Sequence, residues 1–545
     1  LMSMNNRYGF ASYLGNRRNS STFASAGVSK PNGDFLFAGK FGPPGVLGTN
    51  LSFPRVDVTP EAKGCASNIS LEGKYNDTAG SKCMSQVFTL EGAGCVEGDP
   101  SASCGHPKSI SYLGAGAAGD MARAITEGSV VVYGPQGVLK LNAYANVTIW
   151  NSCDSCKKTA EDECDAMCGG AKRVKIDIGP RGLKVAVLDL KAKKLHILDA
   201  ASGAEIRRVD LSLDGHGTFA DVAVSDLPAH DKVFVGGYKN ENWMGDNNTD
   251  PGTVEVAFVR AFDMSTGRRS WTTWDFPGSA IRYDESAHTQ VNVLVVDKAG
   301  RLFVGGSVTG RELKPFFDIP IAANIFRYDG RNVTGTIKNA ALYAQRRPVI
   351  TATGQDKYGD VIHPQMTEFF AGSAAYVGLI EPFDGHVIRG KFLFSYTYGE
   401  RVHFPLGIRS FGYRGLHSIS VTGMDIDDKG NIIFGGNFGG DVEHRDFQTT
   451  NGYPLAKASG GEPYFAIYDP NLIRRVKWSH PTQYRHVQTE DKFSAQYYMQ
   501  FGGGGRVTGV VGGGYCPDDP FTFGSCTSAL LIEANPTKEM GQFYT

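Results

Sequence analysis

Residues Val291–Ser307 read VNVLVVDKAGRLFVGGS. An apolar run stops at Asp297, Gly300 marks a turn, and a second apolar run closes on the pair Gly305/Gly306. Two short runs rich in Val, Leu and Phe around an Asp/Gly turn predict a β-hairpin. The pattern returns as FADVAVSDLPAHDKVFVGGY from Phe219 and as VTGMDIDDKGNIIFGGN from Val421. Looser copies are FASAGVSKPNGDFLFAGKF from Phe23, AITEGSVVVYG from Ala124 and RVTGVVGGGY from Arg506. The closing pairs (Gly236/Gly237, Gly305/Gly306, Gly435/Gly436) admit a positive φ or a close backbone approach at the strand end.

A second hairpin follows each at variable distance. It reads VAFVRAFDMSTGRRSWTTW from Val256, AAYVGLIEPFDGHVIRGKF from Ala374 and YFAIYDPNLIRRVKWS from Tyr464. Two hairpins per repeat make a four-stranded antiparallel unit. The glycine pairs at Gly236, Gly305, Gly435 and Gly512 lie 69, 130 and 77 residues apart, so a unit of about 70 residues fits the chain six to eight times. Four-stranded sheets repeated radially are the blades of a β-propeller. The expectation is an all-β, seven-bladed propeller, with eight blades as the alternative, forming one domain over 1–545. No stretch reads as a long amphipathic helix, which argues against an α/β fold.

The motif DIDDKGNIIFGGNF from Asp425, with VDKAGRLFVGGS from Val296 next, resembles the secreted bacterial propeller repeats of the SBBP type. That resemblance implies the architecture and leaves the activity open, because such propellers serve in adhesion, scaffolding and enzymes alike. The N-terminal hairpin and Arg506–Glu539 are expected to complete one shared blade, which removes an exposed sheet edge. Residues 55–115 and 150–172 read as cysteine-rich loop insertions on one rim.

Composition narrows the function classes. The 545 residues include 69 Gly, 41% hydrophobic residues, and 55 basic against 56 acidic side chains, for a net charge of −1. A balanced charge without a Lys/Arg block lacks the footprint of a nucleic-acid binder. No apolar run reaches the length of a transmembrane span.

The ten cysteines fall in even groups: Cys65, Cys83, Cys95 and Cys104; Cys153, Cys156, Cys164 and Cys168; and Cys516 with Cys526. Even, local grouping in Gly/Ser/Asp-rich stretches suits disulfide-stapled loops. The spacing C-x2-C-x7-C-x3-C of the second group also suits four-thiolate zinc. A start at Leu1 fits removal of a signal peptide. Seven N-x-S/T triplets, at Asn19, Asn50, Asn68, Asn76, Asn146, Asn247 and Asn332, permit glycosylation. The expected location is secreted, periplasmic or cell-surface.

Two constellations could hold metal. His216, His288 and His417 precede the innermost strand of three repeats by six or seven residues. They are either a repeated hydrogen-bonding element or imidazoles converging on an axial metal. Asp246, Asn248 and Asp250 in GDNNTDPG offer alternating oxygen ligands for Ca²⁺, although Pro251 replaces the usual turn glycine and no bidentate Glu follows. The leading functional reading is a non-enzymatic scaffold, assembly subunit or recognition module that binds protein partners or itself. A metal-dependent enzyme at the axis and a glycan-binding propeller are the alternatives. The Asn/Arg-rich start (Asn5, Asn6, Arg7, Asn16, Arg17, Arg18) reads as an arm to a neighbour or as a blade-covering loop.

Overall fold

The computed structural model describes residues 8–14, 22–29, 35–41, 55–60, 63, 85–90, 107–114, 119–123, 129–157, 166–169, 173–214, 217–244, 251–274, 288–309, 373–398, 402–403, 409–410, 413–417, 420–426, 429–438, 441–446, 454–456, 462–473, 475–479, 497–502, 506–513 and 528–534.

Strand follows strand in antiparallel fours. The first sheet runs Thr22–Ser29, Phe35–Phe41, Ser85–Leu90 and Pro107–Gly114, with Arg55–Asp57 added in parallel at its outer edge. The second runs Met121–Arg123, Val130–Gly134, Gly137–Leu141 and Thr148–Asn151. The third runs Val174–Ile178, Lys184–Asp189, Lys194–Asp199 and Glu205–Asp210. Next come Gly217–Leu227, His230–Met244, Pro251–Asp263 and Arg269–Trp274, then His288–Val296, Leu302–Thr309, Ser373–Ile380 and Val387–Tyr398. Gly423–Ile426, Ile432–Phe438, Glu462–Tyr468 and Arg475–Ser479 form another sheet. The last contains Tyr497–Gly502, Arg506–Gly513 and Ser528–Ala534, and its fourth strand is Tyr8–Leu14 from the opposite end of the chain.

The first strands of these units pack on one another in a circle. Thr22–Ser29 meets Met121–Arg123, and the contacts pass through Val174–Ile178, Gly217–Leu227, His288–Val296, Gly423–Ile426 and Tyr497–Gly502 back to Thr22–Ser29. A ring of antiparallel sheets around their first strands is a β-propeller.

Three expectations need correction. Five separate sheets of four or five strands stand apart among the described residues, not seven separate blades. The units beginning at Gly217 and His288 merge into one eleven-stranded sheet through a single parallel bridge, Glu255 to His288, and through Asp441–Asp446 lying along Val387–Tyr398. Second, 55–115 is not a loop excursion alone, since Ser85–Leu90 and Pro107–Gly114 are strands of the first sheet. Their short apolar runs sit between Gly- and Cys-rich connections that mask the pattern. Third, the ring closes through Tyr8–Leu14, inside the Asn/Arg-rich start, whereas the hairpin from Phe23 begins a sheet of its own.

The apolar cores lie between sheets. Ala122, Val131, Tyr133, Val138 and Trp150 of the second sheet pack against Val174, Ile176, Val185 and Val187 of the third. Ala186, Leu188 and Ile197, on the third sheet's other face, pack against Phe219, Val222, Val233 and Phe258. Each central sheet is buried on both faces, so its strands read as continuous apolar runs.

The glycine pairs have a steric cause. A Cβ on Gly237, Gly306 or Gly436 would lie 2.0, 1.9 or 1.9 Å from the carbonyl oxygen of Thr218, Gln290 or Ser420, which lie on the neighbouring first strand or, for Ser420, just before it. Tyr376 reinforces the contact by donating its hydroxyl to the Gln290 carbonyl at 2.8 Å. Gly306→Ala should therefore lower stability by about 2 kcal/mol or more. Gly134→Ala, whose Cβ would meet only Leu113 at 3.7 Å, should change it little. Denaturant midpoints decide, and equal midpoints would contradict the steric account.

Candidate functional site

Antiparallel order fixes which connections share a rim. Turns joining strands one to two and three to four emerge on one side. Connections joining two to three, and one sheet to the next, emerge on the other.

The first rim is made of short, capped turns. Asp199 Oδ1 accepts the Ala201 and Ser202 N–H groups, Asp263 Oδ1 those of Ser265 and Thr266, and Asp469 Oδ1 those of Asn471 and Ile473. Hydroxyl donation from Ser202 and Ser265 holds the Asp199 and Asp263 carboxyls below their ordinary range. Such side-chain-to-backbone bonds fix a turn without a core. Out of these turns project Tyr144, Val147, Leu183, Phe383 and Ile473, all exposed.

The second rim carries the long connections. One is the cysteine-rich excursion after Thr148–Asn151, with a short helix Ser152–Lys157 and a 3-10 turn Ala166–Cys168. Cys153 and Cys168 are joined by a disulfide, and Cys156 is disulfide-bonded as well. A four-thiolate zinc site cannot form from cysteines so oxidised. Ser152 Oγ donates to the Met167 carbonyl at 2.6 Å and accepts the Val138 N–H at 3.0 Å, which pins the excursion to the second sheet.

At the axis, one polar residue in each of four consecutive units reaches the backbone of the next. Asp120 Oδ2 accepts Ile176 N–H at 2.9 Å, Asp177 Oδ2 accepts Val224 N–H at 2.8 Å, and Asp221 Oδ2 accepts Leu294 N–H at 2.8 Å. Asn292 continues the series by donating Nδ2–H to the Val421 carbonyl at 2.9 Å. Lys175 Nζ stands 3.9 Å from Asp221. Burial pushes all three carboxyls up, with Lys175 opposing it at Asp120 and Asp221 and backbone N–H groups opposing it at each; Asp221 reaches about 6 and Asp177 lies well above the ordinary range. Sequence reading missed this set, although a lone Asp or Asn inside an apolar first strand (VKIDI, FADVAV, VNVLVV) is its signal.

The histidines do not share one register. The carbonyls of Thr218, Gln290 and Ser420 occupy matching places against the glycine pairs, and two residues earlier lie positions 216, 288 and 418. His288 opens its first strand, opposite Thr309. His417 is one residue out of phase and ends a different strand, Tyr413–His417, opposite Ser395. His216 lies outside the described residues, as do Asp246, Asn248 and Asp250, the remaining cysteines (Cys65, Cys83, Cys95, Cys104, Cys164, Cys516, Cys526), and Asn19, Asn50, Asn68, Asn76, Asn247 and Asn332. Among the described residues no group of three or more His, Cys, Asp or Glu side chains could hold a metal ion.

No protein-family model matches the chain. No curated protein is similar to it. Among solved structures, the Cps50 (Swd1) β-propeller domain of Myceliophteria thermophila is similar over 96% of this chain and 99% of its own, at 6% identity and a TM-score of 0.38. Sqt1 of Saccharomyces cerevisiae is similar over 97% of this chain and 100% of its own, at 8% identity and a TM-score of 0.36. Both likenesses are distant. The propeller assignment rests on the strand order and on the circle of first strands.

The axial carboxylates give a pH dependence with a definite sign. A carboxyl whose folded pKa is raised binds more protons folded than unfolded, so its contribution is fully present below pH ~4 and is lost as pH rises through the folded value. For Asp221, raised from 3.8 to about 6, the loss is on the order of 3 kcal/mol. Asp221→Asn keeps an oxygen for Leu294 N–H and removes the charge. Unfolding measured at pH 4.5 and pH 7 should show a smaller stability difference in the variant. An unchanged difference would contradict the assignment.

Proposed function

We propose that this chain is an exported propeller that serves as a protein-interaction scaffold. The observation that carries the function is the turn rim, where Leu183, Phe383 and Ile473 are 47%, 71% and 56% exposed on turns held rigid by carboxylate caps. Large apolar side chains displayed on preorganised turns suit a protein partner, because little ordering entropy is left to lose on binding. Lys232 stiffens one of these turns, donating to the Pro382 and Phe383 carbonyls while its ammonium lies 5.4 Å from the Phe383 ring. Export is supported by the Cys153–Cys168 disulfide, since such bonds persist in oxidising compartments.

Replacing Leu183, Phe383 and Ile473 together by Lys should leave the melting temperature within a few degrees of the parent. It should abolish co-purification of the native partner. Full retention of the partner would overturn the assignment of this rim. For the compartment, Cys153 and Cys168 in untreated native protein should resist alkylation until reduced, and immediate labelling would contradict export.

A further inference from the structure

Three of the exposed large apolar side chains fall within six residues: Tyr144 at 69%, Val147 at 55% and Ile149 at 50%. They surround the exposed Asn146 of the triplet Asn146-Val147-Thr148. We propose that Asn146 carries an N-linked glycan whose first sugar lies against Tyr144 and covers this apolar strip. The inference rests on the export reading above.

The turn geometry supports it. Ala145 N–H donates to the Asn142 carbonyl at 2.8 Å, and Asn142 N–H donates to the Val147 carbonyl at 3.0 Å. Ala145 takes φ 54° and buries its methyl group, so the chain bends sharply between Tyr144 and Asn146. That places an exposed aromatic ring two residues before the acceptor, on a turn fixed by Asn142 Oδ1, which also accepts Asn146 N–H at 3.0 Å. Sugar C–H groups stack on the electron-rich face of such a ring. Asn146 uses Oδ1 to accept from Asn142 Nδ2 at 2.7 Å, whereas the sugar bond is made at Asn146 Nδ2.

In the transfer, Nδ2 bonds to the anomeric carbon of an oligosaccharide carried on a lipid diphosphate. The carbon–oxygen bond to the diphosphate breaks, the diphosphate leaves with the electron pair, and the amide gives up one proton. The reaction precedes folding here, because in the folded chain Thr148 Oγ1 is half-buried and donates to the Val58 carbonyl at 2.7 Å.

The test is peptide mapping of protein purified from its natural source, before and after peptide N-glycosidase in heavy-oxygen water. The peptide containing Asn146 should carry a hexosamine-bearing mass and convert to isotopically marked aspartate. Unmodified Asn146 overturns the proposal. If other triplets are occupied while Asn146 is bare, this inference alone fails. If none is occupied and Cys153 and Cys168 label as free thiols, the export reading fails with it. Asn146→Gln should also bind about twofold more hydrophobic dye than the native glycoprotein, with Tyr144→Ser reversing the increase. Equal dye binding would contradict a covering sugar.

Discussion

A buried side chain holding a main-chain group of the next sheet is the contact on which the ring depends. First strands have a neighbour on one side only, so their inner edge leaves backbone groups without a ladder partner. Asp120, Asp177, Asp221 and Asn292 fill part of that need from the preceding unit, one after another. Placing carboxylates there is unfavourable by desolvation, and Lys175 with the accepted N–H groups offsets it. The axis is therefore a chain of directional links inside otherwise non-directional packing.

Those links need the sheets to approach closely. The first glycine of a pair allows it at the second strand, where a Cβ on Gly236 would lie 2.5 Å from Val291 Cγ1 and one on Gly305 2.7 Å from Val421 Cγ1, both in the next unit. Between sheets, alternate residues of one strand serve two different cores: Val185 and Val187 face the second sheet, and Ala186 and Leu188 the next. The last sheet takes three strands from Tyr497–Gly502, Arg506–Gly513 and Ser528–Ala534, and Tyr8–Leu14 completes it as the fourth by pairing with Ser528–Ala534. Architecture and rim chemistry then separate. Capped turns carry apolar contact groups on one side, and the disulfide-stapled excursion lies on the other.

The hairpins were legible because period-2 alternation and glycine pairs are local signals. Ser85–Leu90 and Pro107–Gly114 were not, since their connections are rich in Gly and Cys and dilute the alternation. The closing strand was read as an arm because YGFASYL is short and flanked by Asn and Arg, with its partner more than 500 residues away in the chain. At the axis, histidine recurrence drew attention by residue type, but His417 is one residue out of phase and ends a different strand, Tyr413–His417. The aspartates that do repeat looked like ordinary polar positions within a strand. Long-range pairing and phase are properties of the closed ring, and one strand's composition does not carry them.

The ring closes on itself where Tyr8–Leu14 pairs with Ser528–Ala534. Hydrogen exchange of the intact native protein tests it most directly. The amides of Tyr8–Leu14 should be protected to the same degree as those of Ser528–Ala534, and both should lose protection together as denaturant is added. Rapid exchange of Tyr8–Leu14 beside a protected Ser528–Ala534 would contradict it.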